Sequence, residues 1–184
     1  MNNWSPDSFS KAWQFATKYH EGQTYGSSEP GRRIAYINHV GSVAMEVIWA
    51  LPTTPDVDGN LAVQCALLHD VIEDTEVTYE VVLAEFGEVV AQGVLALTKD
   101  ETFPTKAEQM ADSLQRIRAQ PRAVWFVKLA DRITNLAPPP HYWTREKAAT
   151  YRLEAITIYE ALHEANNALA ERLLTKIEAY KAFI

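Results

Sequence analysis

The residues best equipped for chemistry in this 184-residue chain are HDVIEDT at positions 69–75. On a helix, positions four apart share a face, so His69 would face Glu73 and Asp70 would face Asp74. One pair can hold a divalent metal ion while the other reaches a water bound to it. An apolar run precedes these residues, which predicts that they lie where a helix leaves the core. Charges in such a place are costly unless they are paired or bound to metal.

A metal ion needs more ligands, and His39 and Asp131 supply them from two other helical segments. Two imidazoles and two carboxylates, with positions left open for water, suit Mn²⁺, Fe²⁺ or a similar ion better than a structural zinc site. Alone, His39 would be typical of a hydrogen-bonded histidine at a helix start. Asp131 alone could pair with Lys128 or Arg132. Their combination with residues 69–70 favours the metal site.

Four motifs, in this order along the chain, carry a resemblance to a known family. They are YINH at 36–39, LLHDVIEDT at 67–75, FG at 86–87 and KLADR at 128–132. Together they resemble the hydrolase domain of RelA/SpoT proteins, a branch of the HD phosphohydrolase superfamily, over about residues 15–159. The resemblance implies an all-α bundle of about eight to nine helices. It also implies removal of the 3′-pyrophosphate from (p)ppGpp, giving GDP or GTP and pyrophosphate, usually with Mn²⁺.

The two acids that follow the predicted ligands are the candidates for handling water. Glu73 is the predicted main base or water-positioning group, and Asp74 is its helper, since each lies one turn from a ligand. The alternative is that both acids only extend an acidic surface.

The substrate contacts implied by the resemblance lie on two later helices. Asn135 would meet the sugar, Tyr151 the nucleotide and Lys147 a phosphate. Lys128 and Arg132 could each serve either a phosphate or a local ion pair. Alone, Lys147 is more typical of a solvated surface lysine.

The chain departs from the family after its HEGQ motif at 20–23. Long relatives carry an Arg-Lys pair soon after this motif, whereas Thr24 and Tyr25 stand here. Arg32 and Arg33 lie further on, and whether they replace the missing pair is left open. In the family these positions help to recognise the base, so an adenine alarmone, (p)ppApp, is a second substrate option.

The elements that must position these residues are predicted to be helices, because strand-type alternation is absent. Helices are predicted from near Pro6 to Tyr19 and over 37–51, 58–75, 79–86, 89–97, 105–119, 121–136, 144–163 and 167–179, with a loop over 22–33.

Composition bounds the remaining possibilities. The length and the 47% hydrophobic content fit one domain over residues 1–184. A net charge of −7 argues against nucleic-acid binding. The charge is uneven: residues 34–98 hold no Lys or Arg, whereas residues 99–152 hold ten against six acids. The first stretch suits a cation and the second an anion, such as a small nucleotide.

The sequence also predicts a location and leaves other functions open. No signal peptide or membrane span is recognisable, and the single Cys65 cannot form an internal disulfide, so a cytoplasmic enzyme is expected. A general HD nucleotide phosphatase and a catalytically inert, nucleotide-sensing HD domain are the alternatives. A homo-oligomer is neither required nor excluded by the pattern.

Overall fold

Helices build this protein, as seen in a computed structural model that describes residues 4–184. The α-helices are α1 Pro6–Tyr19, α2 Ile37–Ala50, α3 Gly59–Leu68, α4 Val71–Asp74, α5 Tyr79–Phe86, α6 Glu88–Leu97, α7 Lys106–Arg118, α8 Arg122–Asn135, α9 Arg145–Leu162 and α10 Asn167–Ala179. Short 3₁₀ turns follow α2, α9 and α10, at Leu51–Thr53, His163–Ala165 and Tyr180–Phe183. The all-α prediction is confirmed, with nine helices of eight residues or more in the described range.

Two helices occupy the centre of the molecule. α3 packs against α1, α2, α6 and α8, and nearly all of its side chains are buried. α8 is buried from Ala123 through Ile133 except at the half-buried Trp125, and the buried residues include Lys128, Asp131 and Arg132. A helix enclosed on all sides is normally apolar. The three charged side chains of α8 therefore need partners inside the fold.

The helix predicted over 58–75 is interrupted, so that prediction is wrong in one respect. α3 ends at Leu68, and Asp70 has φ −108° and ψ 0° before the chain resumes as α4. The Nδ1 of His69 lies 2.9 Å from the carbonyl oxygen of Ala66. A continuous helix would use that oxygen for the amide of residue 70. The side chain of His69 competes with the backbone, and the helix breaks between the two predicted ligands.

The loop predicted over 22–33 also differs, because its ends form a small hairpin. Strands β1 Thr24–Gly26 and β2 Arg33–Ala35 pair antiparallel, with Tyr25 opposite Ile34. Strands of three residues are too short to show alternation in sequence. The reversal between them uses Gly31 at φ 78°, a conformation that glycine adopts without steric cost.

Side chains cap the starts of several helices. The Asp58 side chain accepts a hydrogen bond from the Leu61 amide, and that of Thr144 accepts one from the Lys147 amide. Thr105 forms a capping box with Glu108. Within residues 4–184, no helix is both long and apolar enough to cross a membrane.

Candidate metal centre and its pocket

The four predicted ligands come together where α2, α8 and the α3–α4 break meet. The ligand atoms of His39, His69 and Asp70 all lie within 4.8 Å of one another. The Nε2 atoms of the two histidines are 3.3 Å apart. The Oδ1 of Asp131 lies 3.4 Å from the Nε2 of His39 and 3.9 Å from the Nε2 of His69. The Oδ2 of Asp70 lies 2.7 Å from His69 Nε2 and 3.7 Å from His39 Nε2.

These separations fit a single divalent ion. An ion with bonds of about 2.1 Å keeps adjacent ligand atoms about 3 Å apart. A carbonyl oxygen can only accept, so the Nδ1 of His69 carries a proton and donates it to Ala66. The Nε2 is then the ligand atom that faces the cluster. Two nitrogen lone pairs and two carboxylates converging in this way form the donor set expected for Mn²⁺, Fe²⁺ or a related ion.

The charged side chains of this cluster shift one another's pKa values and so determine which of them are protonated. Burial lowers the pKa of His69, but Asp70 and Asp131 outweigh it and raise that pKa to about 9. Burial raises the pKa of both aspartates, yet the imidazoles and Lys128 hold them well below the usual range. The carboxylates are thus ionised, and a bound metal ion would displace the proton from the imidazole.

Neighbouring side chains orient the two carboxylates. The Nδ2 of Asn135 donates to Asp131 Oδ1 at 2.6 Å, and Lys128 Nζ lies 3.5 Å from Asp131 Oδ2. The hydroxyl of Tyr36 donates to Asp70 Oδ2. Hydrogen bonds of this kind hold metal ligands in one rotamer and tune their affinity.

The cluster opens into a pocket of about 710 Å³. Its charged lining residues are the acids Asp70, Glu73, Asp74, Glu101, Asp131 and Glu154 and the bases Lys99, Lys106, Lys128, Arg132 and Lys147. Asn135, Tyr151, Trp143, Gln109 and Thr150 are among the other lining residues. Acidic and basic side chains therefore line the same pocket, so groups that can bind an anion lie near the candidate cation site.

Glu73 is held in place by a residue that the sequence did not single out. The backbone amide of Lys99 donates to Glu73 Oε2 at 3.0 Å, and its Nζ donates to Oε1 at 2.5 Å. Burial lowers the pKa of Lys99, but the carboxylate of Glu73 outweighs it and raises that pKa. Its place in the sequence could have drawn attention to Lys99, because it is the first basic residue after residues 34–98, which contain no Lys or Arg.

Asp74 is less restrained than Glu73. Although the residue is exposed, partial desolvation of its carboxyl and the nearby charges of Asp70 and Glu73 raise its pKa. A raised pKa makes a carboxylate a stronger proton acceptor. Both acids line the pocket.

An alternating row of cations and aromatic rings forms another part of the pocket. The guanidinium of Arg132 lies 4.1 Å from the ring centroid of Tyr151, which packs edge-on against Trp143 at 5.1 Å. The Nζ of Lys147 lies 4.3 Å from the Trp143 centroid. Arg132 also pairs with Glu154 at 3.4 Å. The predicted substrate contacts on α8 and α9 are thus brought together.

Arg32 and Arg33 are not brought to this pocket. Arg32 pairs with Glu29 at 2.8 Å, and Arg33 donates from Nε to Thr24 Oγ1 at 2.7 Å. Both are exposed and their hydrogen bonds stay within the hairpin segment. The hairpin contacts account for their position without a substrate.

A helical bundle that brings two histidines and two aspartates together in this way is typical of the HD-type fold. Comparison with known families supports this assignment. A family model described as the HD domain matches residues 12–168, which include every cluster residue. The chain belongs to the HD-domain family.

Several relatives within the family are named as 3′-pyrophosphohydrolases. The chain is 31% identical over 163 residues to guanosine-3′,5′-bis(diphosphate) 3′-pyrophosphohydrolase MESH1 of Danio rerio, covering 86% of each protein. It is 30% identical over 167 residues to MESH1 of Homo sapiens, covering 89% of each. A solved structure, described as a metazoan ortholog of SpoT that hydrolyzes ppGpp, superposes with a TM-score of 0.78 at 26% identity. That match covers 96% of this chain and 97% of the other. The resemblance to the hydrolase domain of RelA/SpoT proteins, predicted from the motifs, is confirmed.

Proposed function

We propose that this protein is a metal-dependent hydrolase that removes the 3′-pyrophosphate of (p)ppGpp-type nucleotides, releasing GDP or GTP and pyrophosphate. The observation that carries the proposal is the meeting of His39, His69, Asp70 and Asp131 beneath a pocket lined with lysine and arginine. The relatives named above, similar over nearly the whole chain, support the same reaction.

The reaction adds water across the bond between the ribose 3′ oxygen and phosphorus. The attacking water must lose a proton, and the ribose oxygen must gain one as the pyrophosphate departs. Asp74 and Glu73 line the pocket beside the cluster. We assign proton acceptance or water orientation to this pair, with Glu73 held by Lys99. When bound, a divalent ion polarises a phosphate oxygen and lowers the pKa of its water.

Basic residues of the pocket would bind the substrate. Lys128, Arg132 and Lys147 place positive charge beside the cluster, where the phosphates of the nucleotide would lie. Tyr151 and Asn135 are assigned to the nucleotide and its sugar. Because Lys128 and Arg132 are buried and already contact Asp131 and Glu154, a bound phosphate would share them with existing ion pairs.

Two finer assignments rest on the sequence. Mn²⁺ is the proposed ion, because the two imidazoles and two carboxylates leave positions open for water and substrate. The cytoplasm is the proposed location.

The test is pyrophosphate release by the purified protein in Mn²⁺, measured separately with ppGpp, ppApp and a panel of 5′-nucleotides. Release from ppGpp supports the proposal, and Asp131→Ala in the same assay is the matched inactive control. Release from ppApp alone would retain the mechanism with another base. Phosphate release from the 5′-nucleotides alone would indicate a general nucleotidase. Tight nucleotide binding without turnover would indicate a sensor.

A further inference from the structure

His20 is a buried histidine that the proposed function does not use. It caps the C-terminus of α1 and begins the HEGQ motif, and its residue surface is only 3% exposed. It does not line the pocket above the metal centre. Its contacts nevertheless lead to that centre along two routes.

The first route is a chain of hydrogen bonds through Gln23. The Nε2 of Gln23 donates to the backbone carbonyl oxygen of Asp74 at 2.7 Å. Its Oε1 must then be the atom that faces His20 Nδ1, also at 2.7 Å. An amide oxygen only accepts, so the Nδ1 of His20 carries the proton. His20 therefore orients Gln23, and Gln23 holds the backbone at the end of α4.

The second route runs through Tyr36. The ring centroids of His20 and Tyr36 are 5.0 Å apart, and the Tyr36 amide donates to the Gln23 carbonyl oxygen at 2.9 Å. The Tyr36 hydroxyl donates to the carboxylate of Asp70. The two routes thus end at Asp70 and Asp74, the first and last residues of the segment 70–74 that lies beneath the pocket.

Stability alone does not account for a histidine at this position. The Nε2 of His20 is buried and makes no hydrogen bond within the described part of the chain. A buried polar atom without a partner destabilises the folded state. Among residues 4–184, the side chain of His20 forms a hydrogen bond with Gln23 and with no other residue, so its polar function is directed at Gln23.

We propose that His20 and Gln23 form a clamp that positions the metal ligand Asp70 and the acid Asp74 from outside the pocket. This inference rests on the proposed function, since its main consequence is a change in turnover. His20 is a positioning residue, because it contacts neither the predicted ligands nor the pocket.

The test compares three replacements at matched sites. His20→Phe removes the Nδ1 donor, whereas His20→Asn keeps an amide N–H near that place. His163→Phe is the control, because His163 also caps a helix, lies 5.2 Å from a tyrosine ring and has a buried ring nitrogen without a hydrogen bond in the described residues. Each variant is assayed for pyrophosphate release and, independently, for Mn²⁺ affinity by calorimetry, at a temperature where it is folded.

We expect His20→Phe to lower kcat about tenfold or more, because small misplacements of reacting groups have effects of that order. KM should change less than about twofold, since the clamp does not contact the substrate. Mn²⁺ affinity should also fall, because Asp70 loses part of its support. His20→Asn should recover most of both properties, and His163→Phe should match the wild type.

Gln23→Met tests whether the two residues act together. It should reproduce the loss seen in His20→Phe, and the double variant should be no worse than either single one, because both break the same chain. Additive losses would overturn the clamp. So would normal kcat and Mn²⁺ affinity in His20→Phe, or equal loss in His20→Asn or His163→Phe. If the wild type releases no pyrophosphate, the proposed function fails, and the Mn²⁺ affinities alone decide the clamp.

Discussion

The two carboxylate oxygens of Asp131 contact different groups. Its Oδ1 faces both imidazoles and accepts from Asn135, while its Oδ2 faces Lys128. Asp131→Ala removes one of four ligands and leaves Lys128 buried beside a vacated carboxylate position. We expect Mn²⁺ affinity to fall by at least about a hundredfold, more than changes around a ligand usually cause. Elemental analysis after gel filtration, together with calorimetry, measures this.

The control for Asp131→Ala is Glu154→Gln. Glu154 is an acid of the same pocket, but it pairs with Arg132. Glu154→Gln should keep its metal. Full metal content in Asp131→Ala would remove Asp131 from the ligand set.

Replacing Glu73 tests which of the two acids, Glu73 or Asp74, acts on the attacking water. Glu73→Gln keeps the shape of the side chain and an oxygen that can accept from the Lys99 amide, but loses the negative charge. We expect metal and nucleotide binding to persist while turnover falls about 10²-fold, the usual range for loss of a general base. Single-turnover kinetics with ppGpp measure the chemical step. Glu101→Gln, in the same pocket, serves as the control. A near-normal rate in Glu73→Gln would leave Asp74 as the acid that handles the water.

At the scale of elements, sequence periodicity located the helices well and the breaks poorly. Caps such as Asp58 and Thr144 are local signals that can be read directly from residue type. The interruption at His69 is not, because it depends on a side chain that competes with the backbone for the Ala66 carbonyl. The prediction that Asp70 and Asp74 lie one turn apart survives, since the Asp74 amide still donates to the Asp70 carbonyl at 2.8 Å.

Contacts between residues far apart in the sequence were the other feature that the sequence did not predict. The four predicted ligands could be recognised as a set because they belong to known motifs, whereas Lys99 contacts Glu73 across 26 positions and belongs to none of these motifs. The hairpin at Arg33 is similar, because three-residue strands are defined by their pairing and have no periodicity of their own. Sequence therefore predicted which residues form the cluster, but not the contacts that hold them.

The packing of α6 against α3 and α8 depends on a missing side chain at Gly93. A Cβ placed there would lie 2.8 Å from Cys65 Sγ and 3.0 Å from a methyl of Val124. Gly93→Ala should destabilise the fold by about 1–3 kcal/mol, since overpacking outweighs the helix propensity gained. Urea unfolding measures this. In a Cys65→Ala background the cost should shrink, because the closest clash is removed. Equal costs in both backgrounds would contradict this account of α6 packing.

At the scale of the whole molecule, the metal centre joins parts of the chain that are far apart in sequence. His39 begins α2, His69 and Asp70 follow α3, and Asp131 lies in α8. In the unfolded chain these residues are not assembled, so an ion that binds the cluster binds the folded state preferentially. Metal binding should therefore stabilise the entire fold, beyond any effect on catalysis.

We expect Mn²⁺ at one hundred times its Kd to stabilise the protein by about 2.7 kcal/mol. For a chain of this size, that corresponds to a rise in Tm of roughly 5–10 °C. Calorimetric scans with Mn²⁺ and with excess EDTA measure the difference, and Asp131→Ala should show none. A rise of equal size in Asp131→Ala would mean that the ion stabilises the protein from another site. In the wild type, an unchanged Tm with stoichiometric Mn²⁺ bound would mean that the unfolded chain binds the ion equally well, and the cluster would then not be a preorganised centre.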